Sequence, residues 1–268
     1  VALVYEGNQR GGDGVGLEYL LATVVLMGVI QLIIGGLKLS RFIRLVPHPV
    51  MMGFVNGLAV VIFLAQINMF KERSGAVVGD WLQGSAMVTM VGHVLLTMAI
   101  IWLLPKLTKA IPSSLIAILV VTGIVMAGVN TQTVGDLSSV AGGFPMPHLP
   151  NIPFTWDTLV FIFPYALILA AVGLIESLMT VQLVDELTET RGSGNRESVV
   201  LGIANVVAGF FKGMGGCALI GQTLINIRSG GRGRTSGFVA AIALILFILV
   251  GAPFIDRIPM AALTGVMF

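Results

Sequence analysis

The sequence predicts an all-α membrane protein, and three observations lead there. Hydrophobic residues make up 56% of the 268 positions and charged residues only 10%, against roughly 45–50% and 25% in soluble domains; mean hydropathy is +0.98. Uncharged runs long enough to be membrane helices recur from one end to the other. Finally, one carboxylate, Glu176, stands inside a long apolar run, and a hydrophobic segment that glycines cut too short for a bilayer follows it.

A crossing of roughly 30 Å at about 1.5 Å per residue takes about 20 apolar residues. The candidate spans are 17–37, 50–70, 86–104, 113–130, 157–186, 196–211 and 236–254, with a short segment at 217–228 and the start of another at 259–268. The opening VALVYEGNQRGGDG has no Met and no basic stretch, so no signal peptide is visible. VALV reads as the tail of an upstream segment, and TGVMF lies inside a new apolar run, so the chain is expected to be a piece of a longer protein, cut at both ends. Breakers separate the spans: PHP at 47–49, Pro105, Pro112, the Pro-rich 145–153, and Pro253 with Pro259. Segment 131–156 is too polar and too rich in Pro and Gly for a span and is expected as a connecting loop.

Orientation follows from the basic residues near helix ends. If 17–37 runs inward, Lys38, Arg41, Arg44, Lys106, Lys109, Arg191, Arg196, Arg228, Arg232 and Arg234 gather on one side, ten of the fifteen Lys and Arg. Arg10, Lys71, Arg73, Lys212 and Arg257 gather on the other. The first side is expected to be cytoplasmic, with loop 131–156 outside. A net charge of +2 without a basic block gives no reason to expect nucleic acid as a partner. The lone Cys217 excludes an internal disulfide and offers no zinc spacing. No nucleophile–base pair, phosphate loop or metal cluster is visible, so an enzyme is not expected.

Glu176 is the sharpest feature. It precedes Thr188 by about 18 Å of helix, which puts it near mid-bilayer, where a charge is costly unless it meets a cavity or a partner. Thr180 shares its face at i+4, with Ser177 and Gln182 nearby. Two readings stay open: a carboxylate that binds a coupling cation or a proton beside a substrate, and a structural Glu bonded across a helix interface. In GMGGCALIGQTLINIRSGG, Gly213, Gly215 and Gly216 break the chain before about ten residues of helix, half a bilayer. The N-terminus of that half-helix would present unpaired N–H groups and a dipole that favour an anion, with Gln222 and Thr223 as side-chain donors. An ordinary kinked helix packed through its glycines is the alternative. A half-helix at membrane depth is tolerated where it lines a cavity, and together the two features read as the midplane site of a secondary transporter. His93 reads as a satisfied core histidine, Cys217 as a small packing residue at the start of the short helix, and His48 and His148 as loop or interface residues. Asn56 and Gln66 read as interhelical hydrogen-bonding groups, and RSGGRGRTSG as a solvated basic loop.

KLSRFIRLVPHPVMMGFVNGLAVVIFLAQ resembles the fourth-to-fifth helix region of bacterial SulP anion permeases, the solute carrier 26 family. LIESLMTVQLVDELTETRGSGNRES resembles the family's eighth helix and following loop, and GGCALIGQTLINIRSGGRGRTSG its short tenth helix. The resemblance implies part of a fourteen-segment, seven-plus-seven inverted-repeat fold like that of nucleobase transporters, from the end of segment three to the start of segment twelve. Core-domain parts would be 1–37 and 157–254, gate-domain parts 50–130 and 259–268, with a STAS domain following outside this chain. It implies substrate contacts at Glu176, Thr180, Ala218, Leu219, Ile220, Gly221 and Gln222, the last five chiefly through backbone amides, and cation coupling at Glu176 and Thr180. Bicarbonate-transporting members carry Asp at the position of Glu176. Many animal members carry Arg where Gln222 stands; without that charge, dipoles and a co-bound cation would offset the anion.

The expected function is secondary active transport of a small inorganic oxyanion, bicarbonate or sulfate, coupled to Na⁺ or H⁺, by elevator-like alternating access in the inner (plasma) membrane. No cofactor beyond a bound Na⁺ is expected, and the full-length protein is expected as a homodimer in the lipid bilayer. A dicarboxylate or nucleobase carrier of the same fold is the nearest alternative. An anion channel would need a continuous polar pore, for which these spans have too few polar residues; a membrane scaffold would not need Glu176 at depth.

Overall fold

The structure, a computed structural model, describes residues 2–12, 14–45, 48–74, 77–107, 112–129, 131–137 and 146–267. Expectations that fall on Val1, Pro47, Lys109, residues 138–145 of the long loop and Phe268 lie outside the described residues. Twelve α-helices, two 3-10 helices (Leu39–Leu45 and Asn68–Phe70) and one two-stranded sheet are described: α1 Ala2–Gly11, α2 Val15–Gly36, α3 His48–Ile67, β1 Lys71–Ser74, β2 Val77–Trp81, α4 Ser85–Leu107, α5 Ser113–Met126, α6 Val134–Leu137, α7 Trp156–Thr188, α8 Gly194–Phe210, α9 Ile220–Arg228, α10 Arg234–Val250, α11 Ala252–Ile255 and α12 Met260–Met267. They fall into two compact units, Val1–Met51 with Pro145–Ser236, and Met52–Phe144 with Gly237–Phe268. By this division α10 lies almost wholly in the second unit, whereas the family map counts it with the core.

In the first unit α2 packs against α1, α7 and α8. The helix pair α2–α8 has almost no side-chain layer between its backbones. A Cβ on Gly28 would lie 2.7 Å from the Gly202 carbonyl, and one on Gly202 would lie 2.7 Å from the Gly28 carbonyl. Small residues allow this approach, and in lipid such contact is the main source of helix adhesion. The α1–α2 turn uses Gly12 and Gly14, both at φ +92°, and Asn8 closes it by accepting the Gly16 N–H at 2.8 Å. Helix α7 is 33 residues long, about 50 Å. Thr155 caps its start by accepting the Thr158 N–H, and Glu189 ends it in the left-handed region, φ 52°. Asp185 then accepts the Gly192 N–H at 2.7 Å, folding the chain back toward α8.

In the second unit α12 packs on α4 and α5, with Met90, Val94 and Ala261 buried between them and Leu82. Gly265 fits against Thr97, where a Cβ would come within 2.6 Å. The start of the long loop runs beside the segment before α12: the N–H of Gly135 donates to Asp256 at 2.8 Å and that of Met260 to Gln132 at 2.9 Å.

Four helices are long and apolar enough to cross a membrane among the described residues: Val15–Gly36, Met52–Phe70, Ser85–Lys106 and Trp156–Thr188. Two expected spans, 113–130 and 236–254, are shorter than drawn from sequence, and the third short one, α8, is shifted by one or two residues. The run 113–130 ends at Met126, because Gly128 turns at φ +114°; α8 and α10 have 17 residues each, about 26 Å. Pro105 does not stop α4, which continues through it to Leu107, forgoing one helical N–H bond near its end. The hairpin β1–β2, antiparallel with Lys71 opposite Trp81, had no counterpart in the sequence reading. Loop 131–156 contains one short helix, α6, and otherwise no regular element among its described residues.

Candidate functional site

The first unit brings side chains of two helices, α7 and α8, to one non-helical stretch before α9. After α8 the chain turns at Lys212, φ 57°, and the Gly213 N–H returns to the Ala208 carbonyl at 2.7 Å. It then runs without helical bonds to Leu219, the extended residue before α9 (φ −78°, ψ 129°). Three consecutive residues of this stretch are each held by a side chain from a helix. Gly216 is clamped by Asn205 of α8: its N–H donates to Oδ1 at 2.8 Å, and its carbonyl accepts from Nδ2 at 3.1 Å. Cys217 donates its thiol proton to Oε2 of Glu176 at 3.0 Å. Ala218 is held by α7 at both backbone groups: its N–H donates to Ser177 Oγ at 2.9 Å, and its carbonyl accepts from Thr180 Oγ1 at 2.8 Å.

These bonds move the helix start. The sequence places it at residue 217, but 217–219 lies outside the helix, Leu219 is extended and α9 begins at Ile220. Cys217 is therefore outside the helix, and it is a hydrogen-bond donor to Glu176 as well as a packing residue. The amide of Ala218 is already engaged by Ser177. Ile220, Gly221 and Gln222 occupy first-turn positions, whose N–H groups have no acceptor within the helix; Thr223 is the first to find one, the Leu219 carbonyl at 3.2 Å. The Thr223 hydroxyl, read from sequence as a free donor, donates to that same carbonyl at 2.8 Å. Gly221 is exposed, and an added Cβ there meets nothing within 4 Å. Leu219 and Gln222 are exposed as well.

Apart from the Cys217 thiol, the groups described around Glu176 are oxygens. Thr180, buried at 3% exposure, shares its one proton between the carbonyls of Ala218 and Glu176, the latter at 2.9 Å, and keeps its oxygen lone pairs. No group of three His, Cys, Asp or Glu side chains that could hold a metal ion occurs among the described residues. Hard cations take carboxylate, hydroxyl and carbonyl oxygens, which is the set gathered here.

Two residues of this arrangement escaped the sequence reading: Asn205, and Gln31 of α2, whose Oε1 accepts from Asn205 Nδ2 at 2.8 Å. The signal was present as a shared spacing of glycines around each amide. His93 is buried, with Nδ1 at 2.7 Å from the Thr89 carbonyl, a satisfied core histidine. His148 pairs with Glu18, Nε2 to Oε2 2.9 Å, and Glu18 also accepts the Asn151 N–H at 2.8 Å, tying the end of the long loop to the start of α2.

Comparison with known proteins agrees with this architecture. The profile of the sulfate permease family matches residues 3–268. A putative sulfate transporter of Bacillus subtilis (strain 168), YbaR, is 46% identical over 253 residues, covering 94% of this chain and 50% of that protein. The bicarbonate transporter BicA of Synechocystis is 32% identical over 262 residues, covering 94% and 46%. The chain spans about half the length of the curated relatives it matches. The transmembrane domain of a cyanobacterial BicA superposes with TM-score 0.83 at 29% identity, covering 99% of this chain and 70% of that one. Murine Slc26a9 in its inward-facing state, at 20% identity, shares the fold with TM-score 0.73, covering 94% and 44%. Those transmembrane domains have the seven-plus-seven inverted-repeat fold, of which this chain carries part. The relatives are transporters, not enzymes, and the chain belongs to the sulfate permease family.

Proposed function

We propose that this chain carries part of the substrate site of a secondary transporter for a small inorganic oxyanion, sulfate or bicarbonate, coupled to Na⁺ or H⁺. The observation that carries it is the juxtaposition at 216–222: the Glu176 carboxylate and the open first turn of α9 are joined through one rung, Cys217–Ala218. The amides of Ile220, Gly221 and Gln222 and the helix dipole offer an anion partial positive charge. The carboxylate, the Thr180 hydroxyl and the Ala218 carbonyl offer oxygens to a cation. With no Arg at position 222, a cation beside Glu176 offsets the charge of the anion. Transport is by elevator-like alternating access in a homodimer of the full-length protein in the inner (plasma) membrane, with the coupling cation the only bound cofactor. The names of the relatives, sulfate and bicarbonate transporters, support the substrate class.

The test is uptake by the full-length protein of labelled sulfate and bicarbonate, with and without Na⁺, for Gly221→Val and Leu219→Met. The valine puts branched bulk where the anion approaches, and KM should rise about tenfold or more, the equivalent of about 1.4 kcal/mol or more, with near-normal expression. Leu219→Met should change little, since the donors are amides. Normal KM in Gly221→Val means the anion does not sit at this helix end.

A further inference from the structure

Helices α2 and α8 carry the same spacing. Gly28, Gln31 and Gly35 lie along α2 as Gly202, Asn205 and Gly209 lie along α8: glycine, an amide three residues on, and glycine four after that. Seven residues return nearly to the same helix face, so each triplet makes one stripe. At the glycines the helices touch through backbone: a Cβ on Gly35 would be 2.7 Å from the Val199 nitrogen, and one on Gly209 would be 3.1 Å from the Leu21 carbonyl oxygen. The seam leaves Gln31 and Asn205 facing each other across it, 0% and 2% exposed.

Burying two primary amides is unfavourable unless they are paired. Asn205 is fully paired: Oδ1 to the Gly216 N–H, Nδ2 to the Gly216 carbonyl and to Gln31 Oε1. Gln31 is not; its Nε2 has no partner and lies 3.1 Å from where a Cβ on Gly173 would stand. An unpaired buried donor is destabilising, so adhesion of the two helices would be better served by an apolar side chain at position 31. What Gln31 supplies is an acceptor for the second Asn205 N–H, which holds the amide in place against Gly216. Gly216 sets which way round that amide lies. Flipped, it would set N–H against the Gly216 N–H and oxygen against the Gly216 carbonyl.

We propose that Asn205, with the second N–H of its amide held by Gln31, is a positioning residue for the anion-facing end of α9. It acts through the backbone of Gly216, four residues before Ile220. The proposal rests on the reading of that helix end as the anion site.

Hydrogen–deuterium exchange over 211–222 and uptake kinetics, both on the full-length protein, test it in Asn205→Leu, Gln31→Met and the double variant. Loss of the Gly216 clamp in Asn205→Leu should speed exchange at 216–222. It should raise the anion KM about tenfold, as loss of one or two buried hydrogen bonds implies, with kcat within about twofold. Gln31→Met should raise KM about threefold, and the double variant should match Asn205→Leu, because the two residues act as one unit. Where Asn205→Leu fails to reach the membrane, Gln31→Met alone carries the test by the same two readouts. Unchanged exchange, or a fall in kcat at constant KM, would overturn the proposal and leave the transport reading intact. Faster exchange with unchanged KM would sink the assignment of the anion to α9, and the proposal with it.

Discussion

Glu176 and Asn205 are both polar groups inside apolar helices, yet only one was conspicuous in the sequence. A carboxylate in such a run demands a partner or a cavity, and it stands out in any reading. An amide is a common interhelical bonding group, and its meaning depends on what lies opposite, which a linear sequence does not show. Ser177 and Thr180 were legible as polar neighbours of Glu176, but their engagement with both backbone groups of Ala218 required the fold. Glu176→Gln keeps the shape and an acceptor for the Cys217 thiol while removing the charge. The full-length variant should insert normally and lose the cation-dependent part of its uptake, measured as the difference between uptake with and without Na⁺ and across external pH. Uptake with unchanged cation dependence would show that the carboxylate is structural.

The apolar runs located nine elements within a few residues, because a bilayer-length helix is a composition signal first and a geometric one second. Their ends were less legible. The start of α9 was drawn three residues early because Cys217, Ala218 and Leu219 are unremarkable helix formers; side chains of α7 hold the first two outside the helix. The hairpin β1–β2 lies in a short polar connection where no hydrophobic period could betray it. The α2–α8 seam was present as glycine spacing in a chain with 34 glycines, too many for any pair to stand out. Its cost of alteration is specific. Gly202→Ala must displace the Gly28 carbonyl and the Leu32 backbone, each 2.7 Å from the new methyl, and should destabilise by roughly 1–3 kcal/mol, as overpacking does. Gly92→Ala in α4, where a Cβ meets nothing within 4 Å, should match or slightly exceed the parent. Thermal unfolding of the detergent-solubilised full-length variants compares the two.

The whole chain exposes apolar faces on a scale foreign to water-soluble folds. No residue of α10 is buried, and the membrane-length window of Met52–Phe70 is 0% buried, as expected of helices that meet lipid or neighbouring segments. At one helix end Lys106 lies over the Trp102 ring, 3.1 Å from its centroid, an arrangement suited to the membrane–water interface, where aromatic and basic side chains anchor helices. The distribution of Lys and Arg predicts the orientation. An epitope inserted at 231–233 should be unreactive in intact cells and reactive after permeabilisation, and one inserted within 138–145 should react in both. The reverse pattern would invert the molecule in the membrane.

The contact between Cys217 and Glu176 also makes this site observable. Within this chain the sole sulfur nucleophile touches the carboxylate assigned to the coupling cation, and its backbone neighbours are the two residues clamped by α8 and α7. A small thiol reagent needs the thiolate, which the neighbouring carboxylate disfavours and a cation beside it would favour, so its attachment rate should report cation occupancy. Its signal would come from the place where cation and anion are proposed to meet.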